Sequence, residues 1–117
     1  MQVKLAGDKL VIELSPIEKI LALKKRLVIP IKSIVAVKYK RPRTRFRIRF
    51  PGTWIPFLVT AGTYYVKEGK SWEKEFWLAF RGARLVTLEL ENSPYKRIIV
   101  PGGEWVEDCI PSNVPRA

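Results

Sequence analysis

Histidine is absent from the 117 residues, and cysteine occurs once, as Cys109. The first absence removes the commonest general base and the commonest metal ligand. The second excludes an internal disulfide and a thiolate metal site within one chain. A nucleophile elbow and a glycine-rich phosphate loop before a helix are missing as well. Cys109 has no histidine to activate it. The acidic pairs Glu73 with Glu75 and Glu89 with Glu91 stand two residues apart, which places them on outward strand faces as solvated carboxylates. The expectation is a protein that is not an enzyme and needs no cofactor or metal.

Long apolar runs are lacking too. The longest uncharged stretch, Phe50 to Val66, is broken by Pro51, Gly52, Pro56 and Gly62, so it cannot span a bilayer as a helix. Charges interrupt "MQVKLAGDKLVIEL" within its first few positions, unlike a signal peptide. These features predict a cytoplasmic protein that is not integral to a membrane. Asn, Gln, Met and Cys are scarce beside Lys, Arg and Glu, a bias found in thermophile proteins.

What is present is charge of one sign, placed unevenly. The chain holds 22 Lys and Arg against 11 Asp and Glu, for a formal net charge of +11. Residues 1–49 contain 14 of the basic residues and three acids, Asp8, Glu13 and Glu18, whereas residues 50–117 hold eight of each sign. Between residues 19 and 49 there is no acid at all. A surface composed only for solubility would mix the signs. The segregation points to an acidic protein surface, anionic lipid or nucleic acid.

The excess is densest in "KYKRPRTRFRIRFPGTW", residues 38–54, where arginine occupies every odd position from Arg41 to Arg49. On a strand, alternate side chains project to opposite faces, so these arginines share one face and Phe46, Ile48 and Phe50 the other. Lys38, Lys40, Arg41, Arg43, Arg45, Arg47 and Arg49 are therefore the candidate anion-binding residues. Trp54, in the following Pro-Gly loop, is a candidate contact that stacks on a base or enters a membrane interface, the competing and favoured reading being that it covers one end of the domain. The competing reading is an edge strand kept from pairing by its charge. One or two lysines would do that, whereas the planar guanidinium suits bidentate contact with phosphate or carboxylate. Cross-strand pairs with Glu73, Glu75, Glu89 and Glu91 would explain the same spacing without a ligand.

The hydrophobic fraction of 47% belongs to a folded chain. Its length predicts a single domain over 1–110, followed by a Pro-containing tail over 111–117. "VKLAGDKLVIEL" reads as a hairpin turning at Gly7-Asp8, with Leu10, Ile12 and Leu14 inward. "SPIEKILALKKR" carries an S-x-x-E capping box, which predicts a helix over 16–25 that buries Ile17, Ile20 and Leu21. Lys24, Lys25 and Arg26 then suit its last turn. Val35, Val37 and Tyr39 should face inward from the next strand. At Arg41 the charges change parity, which requires a turn or bulge within 39–44 before a second extended piece at 44–50. A loop through Pro51-Gly52-Thr53, a strand from about Val59, and strands in "EKEFWLAFR", "LVTLELEN" and "YKRIIV" follow. Trp72, Trp77 and Trp105 are assigned to packing, and "GEWVEDCI" to a short last helix. The plan is a mainly β domain of about seven strands.

The order of these pieces resembles a family of small bacterial and archaeal pleckstrin-homology-like (PH-like) domains. The resemblance rests on Ile29-Pro30 with Ile34, on Arg49, Pro51, Gly52, Thr53 and Pro56, on Gly62-Thr63-Tyr64, and on Phe76, Val86 and Leu88. It covers about residues 10–100 and departs at "PGGEWVED". It implies a partly open antiparallel barrel of about seven strands, with an early helix and a short C-terminal helix. It also implies a non-catalytic binding or assembly module. The leading partner is an anionic lipid headgroup or acidic protein surface. Sequence-independent nucleic-acid binding is the alternative, and homo-oligomerisation through barrel edges a third reading.

Overall fold

Gly7 takes a left-handed φ of 64° and turns β1 (Gln2–Ala6) into β2 (Lys9–Glu13), as the hairpin signal predicts. The computed structural model describes residues 1–39, 47–55, 59–68 and 70–117, with residues 47–55 and 68 described by backbone alone. β2 pairs antiparallel with β3 (Arg26–Pro30) to complete a three-stranded sheet in the order β1-β2-β3. The early helix α1 (Pro16–Ala22) is an excursion from the β2–β3 hairpin. Glu13 pairs with Arg26 in the ladder, and the Leu14 N–H donates to the Lys25 carbonyl at 3.3 Å, closing the neck of the excursion.

The capping box forms as predicted. The Ser15 hydroxyl accepts from the Glu18 N–H at 3.3 Å, and the Glu18 carboxylate accepts from the Ser15 N–H at 2.8 Å. The helix then ends earlier than expected, because Leu23 turns left-handed at φ 53°. Lys24, Lys25 and Arg26 fall beyond the last turn, so they do not serve its dipole. The predicted apolar stripe is also corrected. Ile17 and Ile20 are 70% and 72% exposed, whereas Leu21 is partly buried against the core as expected and Ala22 is fully buried. Pinned at both ends by the hairpin, α1 packs against the second sheet with its Ala22 side.

That second sheet has six strands: β4 (Ile34–Lys38), β5 (Arg47–Ile55), β6 (Val59–Glu68), β7 (Ser71–Phe80), β8 (Leu85–Leu90) and β9 (Arg97–Pro101). Their order is β4-β8-β9-β7-β6-β5. Nine strands among the described residues exceed the expected seven. One reason is local: Pro30 and a 3₁₀ turn over Ile31–Ser33 split one expected strand into β3 and β4, which join different sheets. β9 slots between β8 and β7, antiparallel to the first and parallel to the second, so the sheet is mixed. The two sheets remain separate among the described residues and do not close into a barrel.

β4 and β5 stand at opposite ends of the sheet order, so they are separate strands, as the parity change at Arg41 requires. The turn expected within 39–44 falls on positions that lie, from residue 40, outside the described residues. Within β4 the ladder steps from Ile34↔Leu90 to Ala36↔Glu89, which leaves Val35 as a bulged extra residue. The bulge lets Ile34 and Val37 both reach the core while Val35 and Tyr39 are exposed, correcting the expected inward trio. β5 runs through Pro51-Gly52-Thr53 where a loop was expected. A register shift between Arg49 and Gly52 absorbs the proline, which an end strand tolerates.

The main core lies between the sheets. Leu10, Ile12, Leu27 and Ile29 from the small sheet meet Val37, Phe76, Leu78, Leu88 and Ile98 from the large one. The short helix α2 (Trp105–Cys109) adds Val106 to the same core and packs against β1. A second cluster, Tyr64, Trp77, Ala79 and Ile99, occupies the other face of the large sheet. Both faces of β7 are therefore buried over residues 75–79. Residues 111–117 are bonded to the domain: the Val37 N–H donates to the Pro115 carbonyl at 2.8 Å and the Ala117 N–H to the Val37 carbonyl at 2.9 Å. This parallel bridge covers the free edge of β4.

Candidate functional site

The predicted anion-binding residues divide by what the structure describes. Lys38 closes β4 with about half its side chain exposed, and its Nζ meets Glu89 Oε1 at 3.2 Å. Arg47 and Arg49 belong to β5, registered opposite Val66 and Tyr64, and Trp54 is registered opposite Thr60. The side chains of those three, and the whole of Lys40, Arg41, Arg43 and Arg45, lie outside the described residues.

The carboxylates proposed as internal competitors are placed more clearly. Glu75 is fully buried, although its spacing from Glu73 predicted a solvated face. Its Oε2 accepts from Arg97 Nη1 at 3.0 Å, and its Oε1 accepts from Trp77 Nε1 at 2.9 Å. Arg97 Nε meets the Glu89 carboxylate at 3.1 Å, and Glu89 in turn holds Lys38. The row is built by register: Glu89↔Arg97 on β8 and β9, then Arg97↔Glu75 on β9 and β7. One guanidinium thus bridges two carboxylates across three strands, a geometry suited to its fixed fork of donors. The sequence did carry a signal for this. Glu75 has the same parity as Trp77 and Ala79, so a buried indole there implies a buried carboxylate that needs a cation.

Arg116 is a second basic residue consumed internally. Its guanidinium donates to the carbonyls of Pro111, Val114, Val106 and Ile110 at 3.2, 2.9, 3.4 and 3.1 Å. The last two carbonyls end α2, where a cation opposes the helix dipole. Burial, with a smaller contribution from the neighbouring Asp108, raises the pKa of Cys109 and disfavours its thiolate. Among the described residues no group of His, Cys, Asp or Glu is arranged to hold a metal.

The basic residues of the first half are disposed differently. Lys4, Lys9, Lys25 and Lys32 are exposed, and among the described residues none of them forms an ion pair. Lys24 Nζ stands 5.3 Å from the Tyr95 ring centroid, and Arg26 meets Glu13 at 3.2 Å with much of its side chain in solvent. Beside them the corrected helix presents Ile17, Ile20 and Leu23, the last 63% exposed. Trp72, assigned to packing from the sequence, is 47% exposed. Trp77 is buried, and Trp105 is partly buried with its Nε1 donating to the Pro101 carbonyl at 3.3 Å. α1 packs against β5, β6 and β7, the first of which carries Arg47 and Arg49.

No helix among the described residues is long and apolar enough to cross a membrane. Compared with protein-family models, characterised proteins and solved structures, the chain matches none.

Proposed function

We propose that the chain is a non-catalytic binding module that engages an acidic partner, an anionic lipid headgroup or an acidic protein surface, through the basic residues of its first half. One observation carries this reading. Positive charge accumulates over residues 19–49 with no acid among them, while the buried Glu75 and the largely buried Glu89 are bound by Arg97 and Lys38. Like charges two residues apart on a strand repel, and a bound anion relieves that repulsion. Lys40, Arg41, Arg43, Arg45, Arg47 and Arg49 are the proposed contacts, with Trp54 beside them, while Lys38 is held by Glu89. A hairpin, an early helix, two packed sheets and a short C-terminal helix support a PH-like affiliation. The parallel β7–β9 pair departs from it.

The test is binding of the purified protein to anionic vesicles, a poly-glutamate peptide and duplex DNA across a salt series. The Arg45→Glu/Arg47→Glu variant should lose that binding while its melting temperature stays nearly unchanged. Binding indifferent to both charge reversal and salt would leave the arginines as solubility residues. Preference for DNA, with affinity falling steeply as salt rises, would favour the nucleic-acid alternative through counterion release.

A further inference from the structure

Helix α1 exposes the residues that a helix normally buries. Ile17 and Ile20, three residues apart, share one face of the helix, and Leu23 follows at its C-cap; they are 70%, 72% and 63% exposed. The fold makes no use of them. Its contact with the second sheet is made on the Ala22 side, and the capping box and hairpin neck hold the helix in place without the stripe. Leu23 sharpens the point. It occupies the left-handed C-cap position at φ 53°, where glycine is favoured, and still carries a large apolar side chain into solvent.

The surroundings specify what covers this face. Lys25 and Arg26 follow it at once, both exposed, and no acid occurs from residue 19 to residue 49. β6 and β7, which α1 contacts, carry the exposed aromatics Tyr65 and Trp72, with the exposed Lys67 and Lys70 close to these in the chain. Exposed aliphatic side chains followed at once by a lysine and an arginine, with an exposed tyrosine and tryptophan on strands the helix contacts, match the chemistry of an anionic bilayer surface. Acyl chains accept the aliphatic groups, the interfacial zone accepts the amphipathic rings, and phosphates accept the cations. From this arrangement we infer that α1 is a shallow membrane-insertion element, which lays Ile17, Ile20 and Leu23 into the outer acyl region of an anionic bilayer. The inference rests on the proposed anion-binding function and commits it to lipid.

The experiment measures partitioning of the full chain onto vesicles of pure phosphatidylcholine and of phosphatidylcholine with phosphatidylglycerol. Wild type, Ile17→Ser/Ile20→Ser, Leu23→Gly and Arg45→Glu/Arg47→Glu are compared at low and high salt. The two isoleucines are exposed, so the serine variant should keep the wild-type melting temperature. It should partition onto the anionic vesicles about tenfold or more weakly, since two buried aliphatic side chains are lost. Leu23→Gly should fold at least as well as wild type and also bind more weakly. Wild-type binding should keep an apolar component at high salt, where surface electrostatics are screened. Full anionic-vesicle binding by both α1 variants would overturn the insertion while leaving the charge-based function standing. Binding to poly-glutamate with none to vesicles would do the same, whereas binding to DNA alone would overturn both in favour of the nucleic-acid alternative. Failure of wild type to bind any of the three polyanions would overturn both.

Discussion

Among the described residues, Arg97 and Arg116 of the second half sit under conditions opposite to those of four lysines of the first. Arg97 lies between Glu75 and Glu89 with 16% of its side chain exposed, and Arg116 donates to four carbonyls. Lys4, Lys9, Lys25 and Lys32 of the first half remain in solvent, while Arg26 meets Glu13 and Lys38 meets Glu89. The difference follows the supply of acceptors. Residues 50–117 provide one acid for every base, and strand pairing brings Glu75 and Glu89 to either side of Arg97. Residues 19–49 provide no acid of their own, and the described pairs there, Arg26 with Glu13 and Lys38 with Glu89, draw on carboxylates from outside the segment. A basic residue becomes structural when register delivers a carboxylate to it, and stays available for a ligand when register does not.

The strongest way to break this comparison is to remove the buried cation. Arg97→Met leaves the fully buried Glu75 carboxylate without its ion-pair partner, and unfolding in urea should show a loss of about 3–5 kcal/mol. The double variant Glu75→Gln/Arg97→Met should recover part of that loss, because the buried charge is gone. Arg116→Ala should cost about 1.5–3 kcal/mol in the same assay, the range for hydrogen bonds to a charged donor, less whatever solvent restores to the exposed carbonyls. By contrast, Arg45→Glu/Arg47→Glu should shift stability little.

Smaller effects sharpen the contrast at α1. Ser15→Ala removes the capping box and should destabilise by about 1 kcal/mol in denaturant titration. Leu23→Gly should stabilise by up to about 1 kcal/mol, since it relieves a left-handed residue and removes no buried contact. The smallest effect is a pH dependence from Glu18. Burial pushes its pKa up, but the Ser15 N–H, the N-terminal ammonium 2.9 Å away and the Ser15 hydroxyl outweigh it, so the net shift is downward. A carboxyl whose pKa is lower in the folded state contributes stability above its unfolded pKa and loses it as pH falls through the folded value. Acid titration of Glu18→Gln against wild type should therefore show the variant with the shallower loss of stability below the ordinary glutamate range.

Local signals were legible where a few neighbouring residues decide the outcome. Gly7-Asp8 made the first hairpin, Ser15 and Glu18 made the capping box, and Val59 began its strand. Val86, Leu88 and Leu90 share one buried face, as their spacing predicts. Face assignments failed where a distant element decides burial. Glu75 was read as solvated because alternation gives β7 two faces without saying whether the second is covered; Tyr64 and Ile99 cover part of it. Ile17 and Ile20 were read as core because their spacing is helical, yet the hairpin neck fixed the helix with another side toward the sheet. Of the candidate site, the sequence alone determined its charge and its alternation, because both are properties of the chain itself. The strand order, the insertion of β9 beside β7, the burial of Glu75 against Arg97 and the exposure of α1 were decided only by tertiary structure. Each depends on which remote strand supplies the neighbouring surface, and neither periodicity nor composition carries that information.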